Sequence, residues 1–330
     1  MAASYQRINY SLRPAKAIER KMLCHAFRRL SHLNKIESYR YIGFGSTYFS
    51  DFSLIHKSLG IVDLISIEKD SQNAARFEFN RPFNCISLLF GHSNQVLPTL
   101  AWDVPTILWL DYDGQLDSTV LEDIATFCKF AIPNSMLVVT VNANQDTLDY
   151  SQLKQPYDSL QAIHSYRVEK FIERVGKEKV PADLTLTGRD LNQPKKAGIC
   201  HLIMTDEIIQ SLDRRNKKDS LGHKIRYQQL FNFHYKNGAK MLTLGGLIYD
   251  EALSDEVSKC AFEDLDFVRT GEDPYVLEVP NLTFREIHYL SAQLPFDGNE
   301  IPNLPGIPKA DIEKFARIYR YFPTFAQAEF

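Results

Sequence analysis

Cysteine is scarce in this chain and unpaired in pattern. Cys24, Cys85, Cys128, Cys200 and Cys260 are odd in number and far apart, with no Cys-x-x-Cys among them. That argues against a disulfide framework and a structural zinc site, and for reduced thiols. Long apolar runs are missing too, so no segment has the ~20 apolar residues that would span a bilayer. The N-terminal stretch, with Arg7, Asn9 and Arg13, lacks the apolar core of a secretion signal. The expectation is a cytoplasmic protein with no membrane partner. Internal repeats and low-complexity segments are absent as well. Net charge is only −3 over 330 residues, but residues 1–40 hold nine Lys or Arg against Glu19 and Glu37, a local balance of +7 that leaves −10 for the rest. Such a basic arm can touch the phosphates of a nucleic acid or an acidic partner. The plainer reading is the solvated face of a helix whose apolar side is Ile18, Met22, Ala26, Phe27, Leu30 and Leu33, with Pro14 in its first turn.

What is present is an alternation of short apolar runs and helical patterns. Strands are expected at about 39–44, 62–67, Cys85–Phe90, Thr106–Leu110 and Ser135–Val141. Helices are expected at Thr47–Leu59, from Asp70 or Ser71 to before Pro82, briefly through Leu97, and at Ser118–Phe130. The strands are continuously apolar rather than alternating, which marks a parallel sheet covered on both faces. Five such units in series predict an open doubly wound α/β sheet with ligands beyond the carboxyl ends of its strands. Phe231, Phe233 and Tyr235 then alternate before Asn237-Gly238, and Ala239–Tyr249 runs back, so an antiparallel hairpin closes the sheet. Thr283-Phe-Arg-Glu286 is a capping box that opens a helix, and Asp311–Tyr321 a last short one. Tyr319, Tyr321, Phe322 and Phe325 read as anchors for that tail.

The strongest local signal is Tyr39-Arg-Tyr-Ile-Gly-Phe-Gly-Ser-Thr-Tyr48, a strand ending in Gly43-x-Gly45. Glycines there let the backbone turn sharply and approach a ligand that a Cβ would exclude. Glu68 stands at the tip of the second strand, where a doubly wound sheet grips ribose hydroxyls. A nucleoside-containing cofactor is the implication.

This ordered set resembles the class I S-adenosylmethionine-dependent methyltransferases, of the O-methyltransferase type, over roughly residues 39–145 and 225–250. Gly43, Gly45 and Ser46 fall on the glycine-rich first motif, and Glu68 on the acid that receives the ribose. Phe90-Gly91-His92 falls on the segment beside the adenine, and Leu108-Trp-Leu-Asp111-Tyr-Asp113 on the fourth, near the reacting methyl group. The resemblance implies a Rossmann-like core, S-adenosylmethionine as cofactor, Asp111 and Asp113 as catalytic residues with Asp111 also at the cofactor, and a methyl acceptor it does not identify. It departs in three places: Tyr41 replaces an acid, Ser46 and Thr47 stand where a third glycine is usual, and His92 replaces the acid at the adenine.

The organisation expected is a basic helical arm at 1–38, the core at 39–145 and 225–250, a mainly helical insertion at 146–224 forming a substrate lid, and an extension at 251–330; an oligomer is a permitted state. No metal is expected, although Asp111, Asp113, Asn142, Asn144 and Asp146 cluster in sequence near two strand ends, because loop asparagines commonly serve turns. His25, His32, His56 and His201 are read as structural. No Asn- or Asp-Pro-Pro-Tyr and no Pro-Cys occurs, which disfavours methylation of base amines and of cytosine C5. The alternative function is a non-catalytic methyltransferase-like module acting with a nucleic acid or protein partner. A nicotinamide dehydrogenase is disfavoured because Tyr48 stands where its third glycine belongs.

Overall fold

The computed structural model describes residues 13–146, 160–181, 184, 186–191, 195–218, 223–296, 301–302 and 304–323. In chain order the main elements are α1 (Pro14–Arg29), β1 (Arg40–Gly43), α2 (Ser50–Leu59), β2 (Asp63–Glu68), α3 (Ala74–Asn80), β3 (Ile86–Phe90), α4 (Ser93–Val96), β4 (Thr106–Gln115), α5 (Ser118–Phe130) and β5 (Ser135–Asn142). They continue as α6 (Leu160–Val175), α7 (Lys196–Lys218), β6 (Ile225–Asn237), β7 (Ala239–Asp250), α8 (Ser254–Ser258), β8 (Tyr275–Leu277), α9 (Phe284–Ser291) and α10 (Lys309–Ile318).

One eight-stranded sheet has the order β3-β2-β1-β4-β5-β7-β6-β8. The first five strands are mutually parallel, and β7 runs antiparallel to both β5 and β6. The doubly wound sheet with a closing hairpin is therefore the observed architecture, and Gly238 at the hairpin tip takes φ +81°. An eighth strand was not foreseen: β8, from the C-terminal extension, pairs parallel with β6 at the sheet edge. Its three residues carry no periodicity that a sequence could display.

Two apolar layers flank the sheet. On one face α1 and α2 bring Ile18, Met22, Phe27, Phe52 and Ile55 onto Tyr41, Trp109, Met136 and Phe233. On the other, Leu121, Ile124 and Phe127 of α5 and Cys200, Ile203 and Met204 of α7 cover Ile42, Leu108, Leu110 and Val139. Residues 196–218 of the expected insertion thus form part of the core layer beside α5. The polar residues of α1 do not make a solvated face: Lys16, Glu19 and Arg20 are all buried. Among its cations, Lys16, Lys21, Arg28 and Arg29 bond elsewhere in the chain, to Asp111, Phe322, Ser58 and Cys260. No helix among the described residues is long and apolar enough to cross a membrane.

Local signals explain most boundaries. The Thr283/Glu286 capping box is present at α9, with both reciprocal bonds made. In the tail, Tyr321 packs edge-on to Phe267 and takes its hydroxyl to His25 Nδ1 at 2.8 Å, and Phe322 packs on Phe315; Phe325 lies outside the described residues. Asp117 caps α5 by accepting from Val120 N at 3.0 Å. Asp117→Ala should lower stability by about 1 kcal/mol, read as a fall of about 1–2 °C in thermal midpoint; an unchanged melt would contradict the cap.

Candidate active site at the strand ends

Because side chains alternate along a strand, the carboxyl ends of β1, β2 and β4 present two separate sets of groups. Tyr41, Gly43, Ser66, Glu68, Trp109 and Asp111 share the α1 face, while Phe44 and Tyr112 share the α5 face.

At the β1 turn, Gly45 N donates to Ser66 Oγ at 2.9 Å, and Ser66 Oγ donates to Glu68 Oε1 at 2.8 Å. The Gly45 and Ser46 amides also turn toward the Glu68 carboxylate. The loop after β1 therefore lies directly on the acid at the end of β2, bringing Gly45, Ser46 and Glu68 together. Burial raises Glu68 to about 7, against the pull of Ser66 and these amides. The glycine at 45 has a different reason from the one expected. A Cβ there would lie 2.5 Å from the Phe49 ring and 2.7 Å from Ser66 Oγ, so the protein itself fills the space. Gly45→Ala should cost about 1–3 kcal/mol through overpacking, with the midpoint of a urea melt as the check; a neutral result would mean the loop has room to move. Gly43 is buried beside Tyr41 Oη and Trp109 O.

The helix expected from Thr47 begins only at Ser50. Ser46 and Phe49 take φ +51° and +45°, left-handed values that keep the intervening residues out of α2. A side chain at such φ is strained, so Ser46 takes up at a cost the conformation a third glycine would adopt freely.

Asp111 and Asp113 also sit differently from expectation. β4 does not stop at Leu110 but continues to Gln115, with Asp111 beside Thr140 and Gln115 beside Asn142 across an irregularity. Asp111 Oδ1 is held by Lys16 Nζ at 2.7 Å, while Asp113 is exposed. Lys16 belongs to a buried network that the sequence did not suggest. Its ammonium also meets Glu19 Oε2 at 2.7 Å and Tyr235 Oη at 3.2 Å, and lies 4.7 Å from the Trp109 ring. Tyr235 donates to Glu19 Oε2 at 2.9 Å, Thr243 donates to Glu19 Oε1, and Thr140 bonds Thr243 at 2.8 Å. Burial alone would depress the Lys16 ammonium, but Asp111 and Glu19 outweigh it and its pKa is raised.

Tyr41, where an acid was anticipated by resemblance, donates to Asp51 Oδ2 at 2.7 Å. Burial pushes the Asp51 carboxyl up, although Arg20 and Tyr41 oppose it.

On the α5 face Tyr112 donates to Asp123 Oδ2 and approaches Ser93 Oγ at 3.3 Å, and its ring stands edge-on to Phe44 at 5.1 Å. Burial raises Asp123 to about 6. Gly91, at φ +151°, donates its N–H to Glu68 O at 2.9 Å and so ties β3 to the tip of β2. His92 is exposed at the start of α4 and does not join the buried cluster.

The asparagines and the acid after β5 are committed to local bonds. Asn142 Oδ1 accepts from Asn144 N at 2.8 Å, and Asn144 Oδ1 from Lys240 N at 3.1 Å. Asp146 is clamped by Arg174 at 2.7 Å and Lys196 at 2.9 Å. Among the described residues no group of three acids, histidines or cysteines is arranged to hold a metal ion.

Of the residues missed, Ser66 had a signal, being two residues before Glu68 and so on the same side of β2. Lys16 and Glu19 had only their i, i+3 spacing, and Tyr235 and Asp123 had none.

Several solved structures resemble the chain. The complex of Trm1 from Pyrococcus horikoshii with S-adenosyl-L-methionine is 12% identical with a TM-score of 0.41, over 78% of this chain and 64% of that one. The O-methyltransferase TomG from Streptomyces achromogenes, in complex with SAM, is 11% identical with a TM-score of 0.35, over 69% and 79%. Human N-acetylserotonin methyltransferase in complex with SAM is 9% identical with a TM-score of 0.33, and this chain covers 55% of its length with 70% of its own. No curated protein matches the chain in sequence. A family model described as "Putative O-methyltransferase" matches residues 8–330, and the chain belongs to that family.

Proposed function

We infer that the protein is an S-adenosylmethionine-dependent methyltransferase acting on an oxygen of its acceptor. The observation that carries the reading, beside the family, is the junction of Gly45, Ser46 and Ser66 with Glu68 at adjacent strand ends. Its residues fit a ribose. Burial raises the carboxyl to about 7 even with Ser66 and the two amides donating to it, and a vicinal diol would supply two further donors. The edge-on Phe44 and Tyr112 rings offer an apolar boundary on the neighbouring face. When bound, the cofactor would supply a methyl group on a sulfonium that is already a good leaving group.

The chain's own residues have three tasks. Glu68 holds the sugar. The α1 face, with Lys16 and Asp111, fixes charge beside the turn after β1. Asp113, exposed at the far end of β4, is the carboxylate assigned to take the acceptor's hydroxyl proton. Alignment of oxygen and methyl does most of the remaining work, since no covalent intermediate with the enzyme is needed. The acceptor site is assigned to residues 146–195, the part of the expected insertion outside that core layer. In support, Asp146 anchors the segment at the strand ends, and a hollow of about 700 Å³ lined by Val168, Ile172, Val180, Leu184 and Leu186 with Lys177 and Glu178 opens within it.

Titration calorimetry with S-adenosylhomocysteine tests the reading. Binding in the micromolar range is expected, and absence of heat at millimolar ligand would overturn it. The rival, a non-catalytic module that uses the basic arm, would be favoured by a steep salt dependence of RNA or DNA affinity.

A further inference from the structure

The hollow in the insertion lies between α6 and the chain that follows it. Phe171 and Val175 of α6 are buried in the core layer, while Val168 and Ile172, four residues apart, share the neighbouring strip and line the hollow. The opposite wall is Val180, Leu184 and Leu186. The chain leaves α6 through Gly176, whose φ of +95° glycine adopts freely. It returns to α6 at Gly188, where a Cβ would lie 2.3 Å from His164 Cα. Between these ends Lys179 is held by the buried Glu207 of α7 at 2.8 Å. The second wall is thus fastened to α6 at both ends and to α7 between them. This is a built cavity rather than a crease in the surface.

Its place and its chemistry both bear on the acceptor. Arg174, two residues after Ile172, donates to Leu116 O at 3.0 Å and to Asp146 Oδ1 at 2.7 Å, which ties the carboxyl end of α6 to the ends of β4 and β5. Lys177 and Glu178 follow directly and are exposed, so the charged mouth is the end nearest the strands. Among the described residues the rest of the lining is branched aliphatic, with no aromatic ring. Such walls suit a saturated, flexible body, and a flat ring finds nothing to stack on. One charge of each sign at the mouth favours a polar end without selecting an anion or a cation. A volume of about 700 Å³ is that of a small-molecule site.

We propose that the methyl acceptor is a small aliphatic alcohol whose saturated body fills this cavity and whose hydroxyl lies at the Lys177–Glu178 mouth. The inference rests on the methyl-transfer reading above and names its substrate class. The alcohol oxygen gains the methyl as the sulfonium C–S bond breaks, and its proton passes to Asp113. A methyl ether and S-adenosylhomocysteine result.

Equilibrium dialysis of the full chain with 1-hexanol, 1-octanol and 1-decanol tests the assignment. Affinity should rise about three- to fourfold per methylene, and so about 100-fold from the shortest alcohol to the longest. 2-Naphthol, flat and similarly apolar, should bind more weakly than 1-octanol. Ile172→Asp, which sets a carboxylate in the wall, should abolish the gain with length. Leu184→Trp, which narrows the cavity without adding charge, should weaken 1-decanol most. Circular dichroism checks folding, and Leu184→Trp keeps the test decisive if Ile172→Asp does not fold. Affinity that is flat in chain length, tighter binding of 2-naphthol, or a length dependence untouched by the variants would overturn the assignment. Calorimetry with S-adenosylhomocysteine separates the two readings. Its binding without that of any alcohol would refute the aliphatic acceptor alone; alcohol binding without it would refute the cofactor reading, and with it the alcohol's role as acceptor.

Discussion

Replacing Glu68 by Ala should weaken S-adenosylhomocysteine binding by about two orders of magnitude. Two ribose hydroxyls would lose a charged acceptor, and each such bond contributes about 1.5–3 kcal/mol. The pH dependence is sharper than the loss itself. Burial raises the folded-state pKa of Glu68 to about 7 from 4.5. An acid raised in the folded state stabilises the fold below its unfolded pKa, and that contribution is lost as pH rises through about 7. The full difference is on the order of 3 kcal/mol. Glu68→Gln should therefore melt higher than the wild type at pH 8 and show no such advantage at pH 4. Ribose donors favour the ionised carboxylate, so wild-type affinity should rise about tenfold between pH 6 and 8, and Glu68→Gln should be flat over that range. A flat wild-type profile, or a Gln variant of undiminished affinity, would remove Glu68 from the cofactor site.

The parallel core was legible because its signals are local. Continuous apolar runs gave β1 to β5, Asn237-Gly238 gave the hairpin, and Thr283 with Glu286 gave the start of α9. Each depends on residues close in sequence, where period and turn chemistry act. Glu68 could be found because a strand end is a place, fixed by topology, where ligands gather. Elements whose limits are set by partners escaped. β4 runs on to Gln115 because β5 offers Asn142 beside it, and β8 exists because β6 has an open edge. α2 starts late because Phe49 is pulled into the core in a left-handed conformation.

The α1 helix is the plainest case of a sequence that misleads. Its apolar stripe was visible, and its charges looked like a solvated face or an arm for phosphates. Periodicity separates apolar from polar positions, but it cannot tell a polar side chain in water from one in a buried network. Lys16 finds Asp111 and Tyr235, respectively 95 and 219 residues away, and Glu19 is reached by Thr243, 224 residues away. Nothing within a helical window reports such distances. The one local hint is the i, i+3 pairing of Lys16 with Glu19, common on exposed helices too.

That network carries the second large expectation. Glu19→Ala should destabilise the protein by about 3–5 kcal/mol, which lowers the thermal midpoint by about 4–7 °C. Glu19 is fully buried and accepts from Lys16, Tyr235 and Thr243. Its loss leaves two buried hydroxyls without their acceptor and the Lys16 ammonium with Asp111 as its remaining anion. Direct attraction between ions is the smaller part of the effect; the larger part is desolvated donors left with nothing to bond. It follows that removing the ion partner as well should relieve the damage. Glu19→Leu combined with Lys16→Met should melt above Glu19→Ala, since the buried ammonium left with Asp111 alone is then replaced by apolar side chains that fill the space. Scanning calorimetry at pH 7 distinguishes the two accounts. If Glu19→Ala melts within a degree of the wild type, the corner is hydrated and Lys16 is not the anchor that fixes α1 to the strand ends. If the double variant melts lower than the single one, packing rather than unmet polarity holds α1 in place.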